Sequence, residues 1–227
     1  MVTTPIHLKD HTSASVVEYL TSLKNPSGIA GMAHFGITAK NPLGISIPTL
    51  RALAKVLGKD HALALALWKT GIHEVRHLAG MIDDPKEVTE EQMDAWITDF
   101  DSWDVCDGVC MNLFHKTPFA IGKAKEWTHR TREYERRAGF ALMAALSFRG
   151  RTTPDTELLA FLPLIEKYSS DDRNFVKKAV NWALRQIGKK NVHLHAAALR
   201  TAKKILAKGD RSSLWIARDA IRELEGR

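Results

Sequence analysis

The stretch Phe175-Val176-Lys177-Lys178-Ala179-Val180-Asn181-Trp182-Ala183-Leu184-Arg185-Gln186-Ile187-Gly188-Lys189-Lys190 sets Val176, Ala179, Val180, Ala183, Leu184 and Ile187 at steps of three and four. That spacing gathers them on one side of a helix, the stripe a buried face requires. At about 100° per residue, Trp182 falls well away from the stripe, on the side that carries Lys178, Arg185 and Lys189. Two arrangements fit. A helix held between two neighbours buries its flanks, so the indole packs on a second surface; or it is an aromatic platform on a basic wall facing nucleic acid.

The same period recurs outward from this helix. Apolar helical segments are expected at about 60–69, 72–82, 89–99, 101–115, 119–130, 133–148, 154–168, 172–189, 193–207 and 212–225. Short breakers divide them, among them Thr70-Gly71, Asp83-Asp84-Pro85, Thr117-Pro118 and Gly209-Asp210. Nearer the start, Ser13 to Leu23 reads as a helix, and Ser46-Ile47-Pro48 opens another that Gly58 stops. Between those two lies what reads as a glycine-containing linker, and residues 1–12 read as a mobile tail. Nothing reads as a strand.

Two helices per roughly 35–45 residues, repeated without strands, predict an all-α fold, an α-solenoid of HEAT-like helical pairs. A bundle of helices fits the weak self-similarity as well. In a solenoid one helix of each pair lines a continuous concave face, where residues distant in sequence converge. The expected organisation is one repeat domain over 13–227 behind the tail.

Hydrophobic content of 44% and charged content of 26% exclude a disordered chain. The Leu/Ala-rich run from His61 to Trp68 is too short to cross a bilayer, and no export signal is evident. Net charge is +7. From Arg173 to Arg227 there are 14 Lys/Arg against 4 Asp/Glu, a surplus of +10, which leaves 19 against 22 elsewhere. A basic C-terminal quarter on a near-neutral body suits a polyanion, nucleic acid first, although a solvated helical surface has the same composition. Cys106 and Cys110, the only cysteines, share a helical face and read as buried thiols of a reducing cytoplasm. No metal-ligand set assembles around them.

Three further groups of residues bear on chemistry. In Asp101-Ser102-Trp103-Asp104-Val105-Cys106-Asp107, Trp103 and Asp107 stand one turn apart near the edge of the buried face. An acid beside an indole is poorly solvated and gains electrostatic leverage, though an exposed Asp beside a packing Trp has the same spacing. In Tyr134 to Leu146, Arg137 lies above Ala141 and Ala144, small side chains that leave its guanidinium free for a phosphate or for a salt bridge. Trp68, Trp96, Trp127 and Trp215 fall within apolar stripes and are expected in the core. There is no phosphate-binding glycine loop, Gly-x-Ser-x-Gly elbow or His-Glu-x-x-His zinc helix.

In order and on helices, Trp103-Asp-Val-Cys-Asp107, Arg136-Arg137-Ala138 and Lys178-Ala-Val-Asn-Trp182-Ala-Leu-Arg185 resemble the AlkD family of bacterial alkylpurine DNA glycosylases, HEAT-like repeat proteins. The resemblance runs from Gly44-Ile45-Ser46-Ile47-Pro48-Thr49-Leu50-Arg51 to the last helices. It implies a catalytic aspartate at Asp107, site tryptophans at Trp103 and Trp182, and DNA-backbone contacts at Arg137, Arg185 and Arg51. Lys178, Lys189 and Ser46 join these as candidate DNA-binding residues. In the loop before Arg51, where the family pattern has polar side chains, this chain has Ser46 and Ile47, a departure from that pattern.

The implied reaction is hydrolysis of the N-glycosidic bond of cationic purines, 3-methyladenine and 7-methylguanine, without flipping the base into a pocket. Asp107 would stabilise the oxocarbenium-like transition state, with no cofactor or metal. The implied partner is double-stranded DNA containing alkylated bases, met by a cytoplasmic monomer with no membrane role. The alternatives are a non-catalytic HEAT-repeat DNA-binding protein, which needs no carboxylate facing DNA, and a protein-interaction scaffold, which predicts no DNA affinity.

Overall fold

Nearly every apolar stripe expected from the sequence is buried in a helix of the computed structural model, which describes residues 10–150 and 152–226. Among the described residues there are thirteen α-helices and no strand. Packing divides the chain into two compact units, 1–93 and 94–227.

The first unit contains α1 (Ser13–Ser22), α2 (Pro26–His34), α3 (Ile47–Leu57), α4 (His61–Trp68) and α5 (His73–Ile82). Of the expected tail, residues 1–9 lie outside the described residues, and Thr12 caps α1 by accepting from the Ser15 N–H at 3.3 Å. α2 corrects the expected linker. Asn25 caps it and Pro26 supplies its first residue, yet it buries no residue, so no apolar stripe marked it in the sequence. α4 and α5 pack together, and α3 packs on α5.

A buried carboxylate shapes the approach to α3. Glu74 on α5 accepts from the backbone N–H groups of Leu43, Gly44 and Ile45 at 2.7, 2.6 and 3.3 Å. Gly44 has φ +74, and a Cβ there would lie 2.2 Å from the Asn25 carbonyl oxygen, so the turn demands glycine.

The boundary between units falls within α6 (Glu90–Thr98). The second unit continues with α7 (Trp103–Asn112), α8 (Ala120–Trp127), α9 (Glu133–Phe148), α10 (Asp155–Lys167), α11 (Asn174–Gly188), α12 (Val192–Ala207) and α13 (Arg211–Glu225). α9 packs between α7 and α11, and α11 packs on to α13, while α10 packs mainly on α12. Alternate helices therefore form one layer and the helices between them a second, as stacked helical pairs require. Gly139 sets the spacing of α8 and α9. A Cβ there would meet the Thr128 nitrogen at 2.8 Å and the Ala124 carbonyl oxygen at 3.0 Å.

Trp68, Trp96 and Trp127 are core residues as expected. Trp215 is not. It is 41% exposed because Ile216, Ala217, Ala220 and Leu224 form the buried stripe of α13 and turn it outward, where Lys177 lies 5.1 Å from its ring centroid.

Candidate active site

Helices α7 and α9 of the second unit bring Trp103, Asp107 and Arg137 together, and α11, packed on α9, carries Trp182, whose ring meets α9 at Phe148. Ser102 begins α7, and Val105, Cys106, Val109 and Cys110 anchor its buried face. That anchoring leaves Trp103 and Asp107 half-buried on its flank. From α9, Arg137 donates through Nε and Nη2 to the two Asp107 oxygens at 2.9 and 2.8 Å, a bidentate pair. The third arm of the guanidinium, Nη1, donates to the Phe175 carbonyl in the first turn of α11.

Of the two partners expected for the guanidinium above Ala141 and Ala144, a phosphate or a salt bridge, the structure shows the salt bridge. The Arg137 side chain is 6% exposed, and its arms are committed to Asp107 and Phe175. Burial alone disfavours the charged guanidinium, but the adjacent Asp107 carboxylate more than offsets it and raises the arginine's pKa. The guanidinium carbon also lies 6.0 Å from the Trp103 ring centroid, at the limit of cation–π range. Arg137 thus fixes the acid and touches the aromatic wall.

Residue 175 is held from both sides by α9. Its N–H donates to Glu133 at 3.2 Å while its carbonyl accepts from Arg137, four residues further along the same helix. Its ring stands 5.7 Å from that of Tyr134, whose hydroxyl is pushed up to about 12 by burial. A second clamp lies one turn away, where Asp171 accepts from Arg136 at 2.7 Å and from Arg173. The two thiols are buried, and burial raises the Cys106 pKa far enough to keep that group protonated.

Trp182 is half-buried, with its ring centroid 6.2 Å from that of Phe148 on α9. Gln186, in the amide orientation that satisfies both of its ends, accepts from the Trp182 indole N–H at 3.3 Å and from Lys189 at 3.2 Å. The packed arrangement is therefore present in part, since the ring meets Phe148 and is otherwise only half-buried.

The cations expected around Trp182 divide into two kinds. Arg185 pairs with Glu223 and lies 3.6 Å from Asp219, and Lys189 also pairs with Glu223, both acids being on α13. Their charge is largely neutralised within the protein, which the surplus of lysine and arginine in this region did not reveal. Lys178 is exposed, 6.0 Å from the Phe175 ring centroid. In the first unit Arg51 is exposed, and Ser46 caps α3 by accepting from the Thr49 N–H at 3.4 Å.

Sequence reasoning missed Phe148, Glu133, Asp219 and Glu223. Phe148 was within reach of periodicity. It follows Arg137 by eleven residues, about three turns, and so lies on the same face of α9. The partners on α13 carry no such signal, because their role depends on how two helices stack.

Residues 16–224 match the family model described as DNA alkylation repair enzyme. A solved structure described as "A new family of proteins related to the HEAT-like repeat DNA glycosylases with affinity for branched DNA structures" superposes with a TM-score of 0.75. The match has 22% identity and covers 85% of this chain and 83% of that one. At that identity the likeness establishes the fold, the helical-repeat architecture expected from the pattern of paired helices. No match is found among curated proteins.

Proposed function

The chain belongs to the DNA alkylation repair enzyme family, and on that premise we propose that it is a DNA glycosylase acting on cationic alkylated purines in duplex DNA. The observation that carries this is the Asp107 carboxylate, oriented through both oxygens by Arg137 and flanked by Trp103. On this reading residues 13–227 act as one DNA-binding domain, without cofactor or metal.

Alkylation at N3 of adenine or N7 of guanine leaves the base positively charged. Breaking the C1′–N bond returns the bonding pair to the base, which departs neutral, and charge moves to the deoxyribose. A preoriented anion stabilises that oxocarbenium character without reorganising during the step. Water then adds at C1′ and loses its proton to solvent. Asp107 serves as the anion, its placement fixed before substrate arrives. Indole faces at Trp103 and Trp182 attract the cationic nucleotide, each by about 0.5–2 kcal/mol. Lys178 and Arg51 contact phosphates, with Arg185 and Lys189 contributing less because Glu223 already holds them. Substrates that are intrinsically labile need no enclosing pocket, so the base stays outside one.

Free-base release from duplex DNA carrying 7-methylguanine tests the proposal. Release that disappears in Asp107→Asn supports it. DNA retention with no release favours a non-catalytic DNA-binding protein instead. The commitment of Asp107 to Arg137 supports that second reading, since a neutralised pair also serves as plain scaffold, and the structural relative is described by its affinity for branched DNA.

A further inference from the structure

The end of α9 carries a feature that alkylpurine excision leaves unused. Phe148 is 40% exposed, with its ring centroid 6.2 Å from that of Trp182 and 5.4 Å from the Arg149 guanidinium carbon. Arg149 is exposed and pairs with no carboxylate among the described residues, unlike Arg136, Arg137, Arg173 and Arg185. It opens on to a cleft of about 500 Å³ whose described lining includes His115, Lys116 and Thr153 but no aspartate or glutamate. Lys190 donates to the carbonyls of Gly150 and Thr153, two residues of that lining, at 3.3 and 3.1 Å.

We propose that Phe148 and Arg149, with this cleft, form a second nucleic-acid contact that receives an unpaired nucleotide. The base stacks on Phe148 and the phosphate lies against Arg149 at the cleft mouth. An exposed ring on a rigid helix stacks only on a base whose face is free, and bases inside an intact duplex have both faces covered. A cleft whose charged lining is Arg149 and Lys116, with no carboxylate among the described residues, is complementary to phosphate. Phe148 stands about 16 Å along α9 from Arg137, at about 1.5 Å per residue, so the contact lies away from the Arg137–Asp107 pair and adjoins Trp182. The site therefore recognises single-stranded character near the lesion, at a gap, flap or frayed end. It rests on the DNA-binding part of the proposed function and is independent of base excision.

The test is fluorescence anisotropy with two labelled duplexes of one sequence, fully paired or carrying a short single-stranded gap. Phe148→Leu is expected to weaken binding to the gapped duplex about tenfold, while affinity for the paired duplex stays within about twofold. Phe148→Tyr retains the stacking face and the gap preference. Arg149→Gln lowers the salt slope on gapped DNA by about 0.7, the contribution of one single-strand phosphate contact. Equal affinities of Phe148→Leu and the parent for gapped DNA, or equal losses on both duplexes, overturn the proposal. The same samples are assayed for release of 7-methylguanine. A Phe148-dependent gap preference without release leaves this site standing and removes the glycosylase; release without a gap preference does the reverse.

Discussion

Arg137 and Asp107 face each other across α9 and α7 as a bidentate pair at 2.9 and 2.8 Å, with side chains only 6% and 15% exposed. Two oxygens, two N–H groups and a fixed plane give the acid one orientation.

Asp107→Asn keeps the shape and removes the charge, and its amide NH₂ opposes one of the arginine's own donors. Excision of 7-methylguanine under single-turnover conditions is expected to fall by about 10²–10³-fold. Affinity for undamaged duplex stays within about threefold of the parent. Parental excision by this variant removes Asp107 from the mechanism.

Arg137→Gln leaves a half-buried carboxylate and the Phe175 carbonyl without their donor. The expected cost is about 3 kcal/mol, read as a fall in Tm of about 6–12 °C. Because the guanidinium is already committed, the salt slope of DNA binding should not move. A loss of about 0.9 in that slope would show that Arg137 reaches a phosphate after all.

Glu223→Gln works in the opposite direction to most charge changes on a binding surface. It releases Arg185 and Lys189 from their shared partner on α13. Duplex affinity at low salt is expected to rise and the salt slope to steepen, by up to about 0.9 for each cation that gains a phosphate. Lys178→Gln, at an exposed lysine, is expected to shallow the slope instead. Unchanged salt dependence in both variants places the DNA elsewhere.

Acid should loosen the clamp at Asp171. Hydrogen bonds from Arg173 and Arg136 outweigh burial and hold this carboxyl below its ordinary value of 3.8. A depressed folded-state pKa stabilises the protein above the unfolded value, and that stabilisation is lost as pH falls through the folded one. Tm measured from pH 5 down to about pH 2 is expected to fall less steeply in Asp171→Asn than in the parent. Parallel curves contradict the assignment.

Periodicity made most of the fold legible, because α3 to α13 are generally marked by buried apolar spacing. It failed at α2, which buries nothing and is announced only by Asn25-Pro26. Trp215 shows the converse error, an aromatic inside an apolar run that the rotation of α13 turns outward. At the candidate site, Trp103, Asp107 and Trp182 were identifiable as residues out of place on their helices. The state of the cations was not. Whether Arg137 is free, or Arg185 neutralised, depends on what stacks 30 or 38 residues away, and no local pattern carries that information.

The grip of Glu133 and Arg137 on residue 175 makes the Asp107 geometry a collective property of successive repeats. A chain ending near residue 170 would keep Asp107 and Arg137 in full, yet lose the backbone oxygen against which the guanidinium is braced. Fraying of α11 from α9 would have the same effect without cutting a bond. Amide exchange at the start of α11 therefore reports how often the carboxylate is held in register, at a position that touches neither the acid nor any substrate.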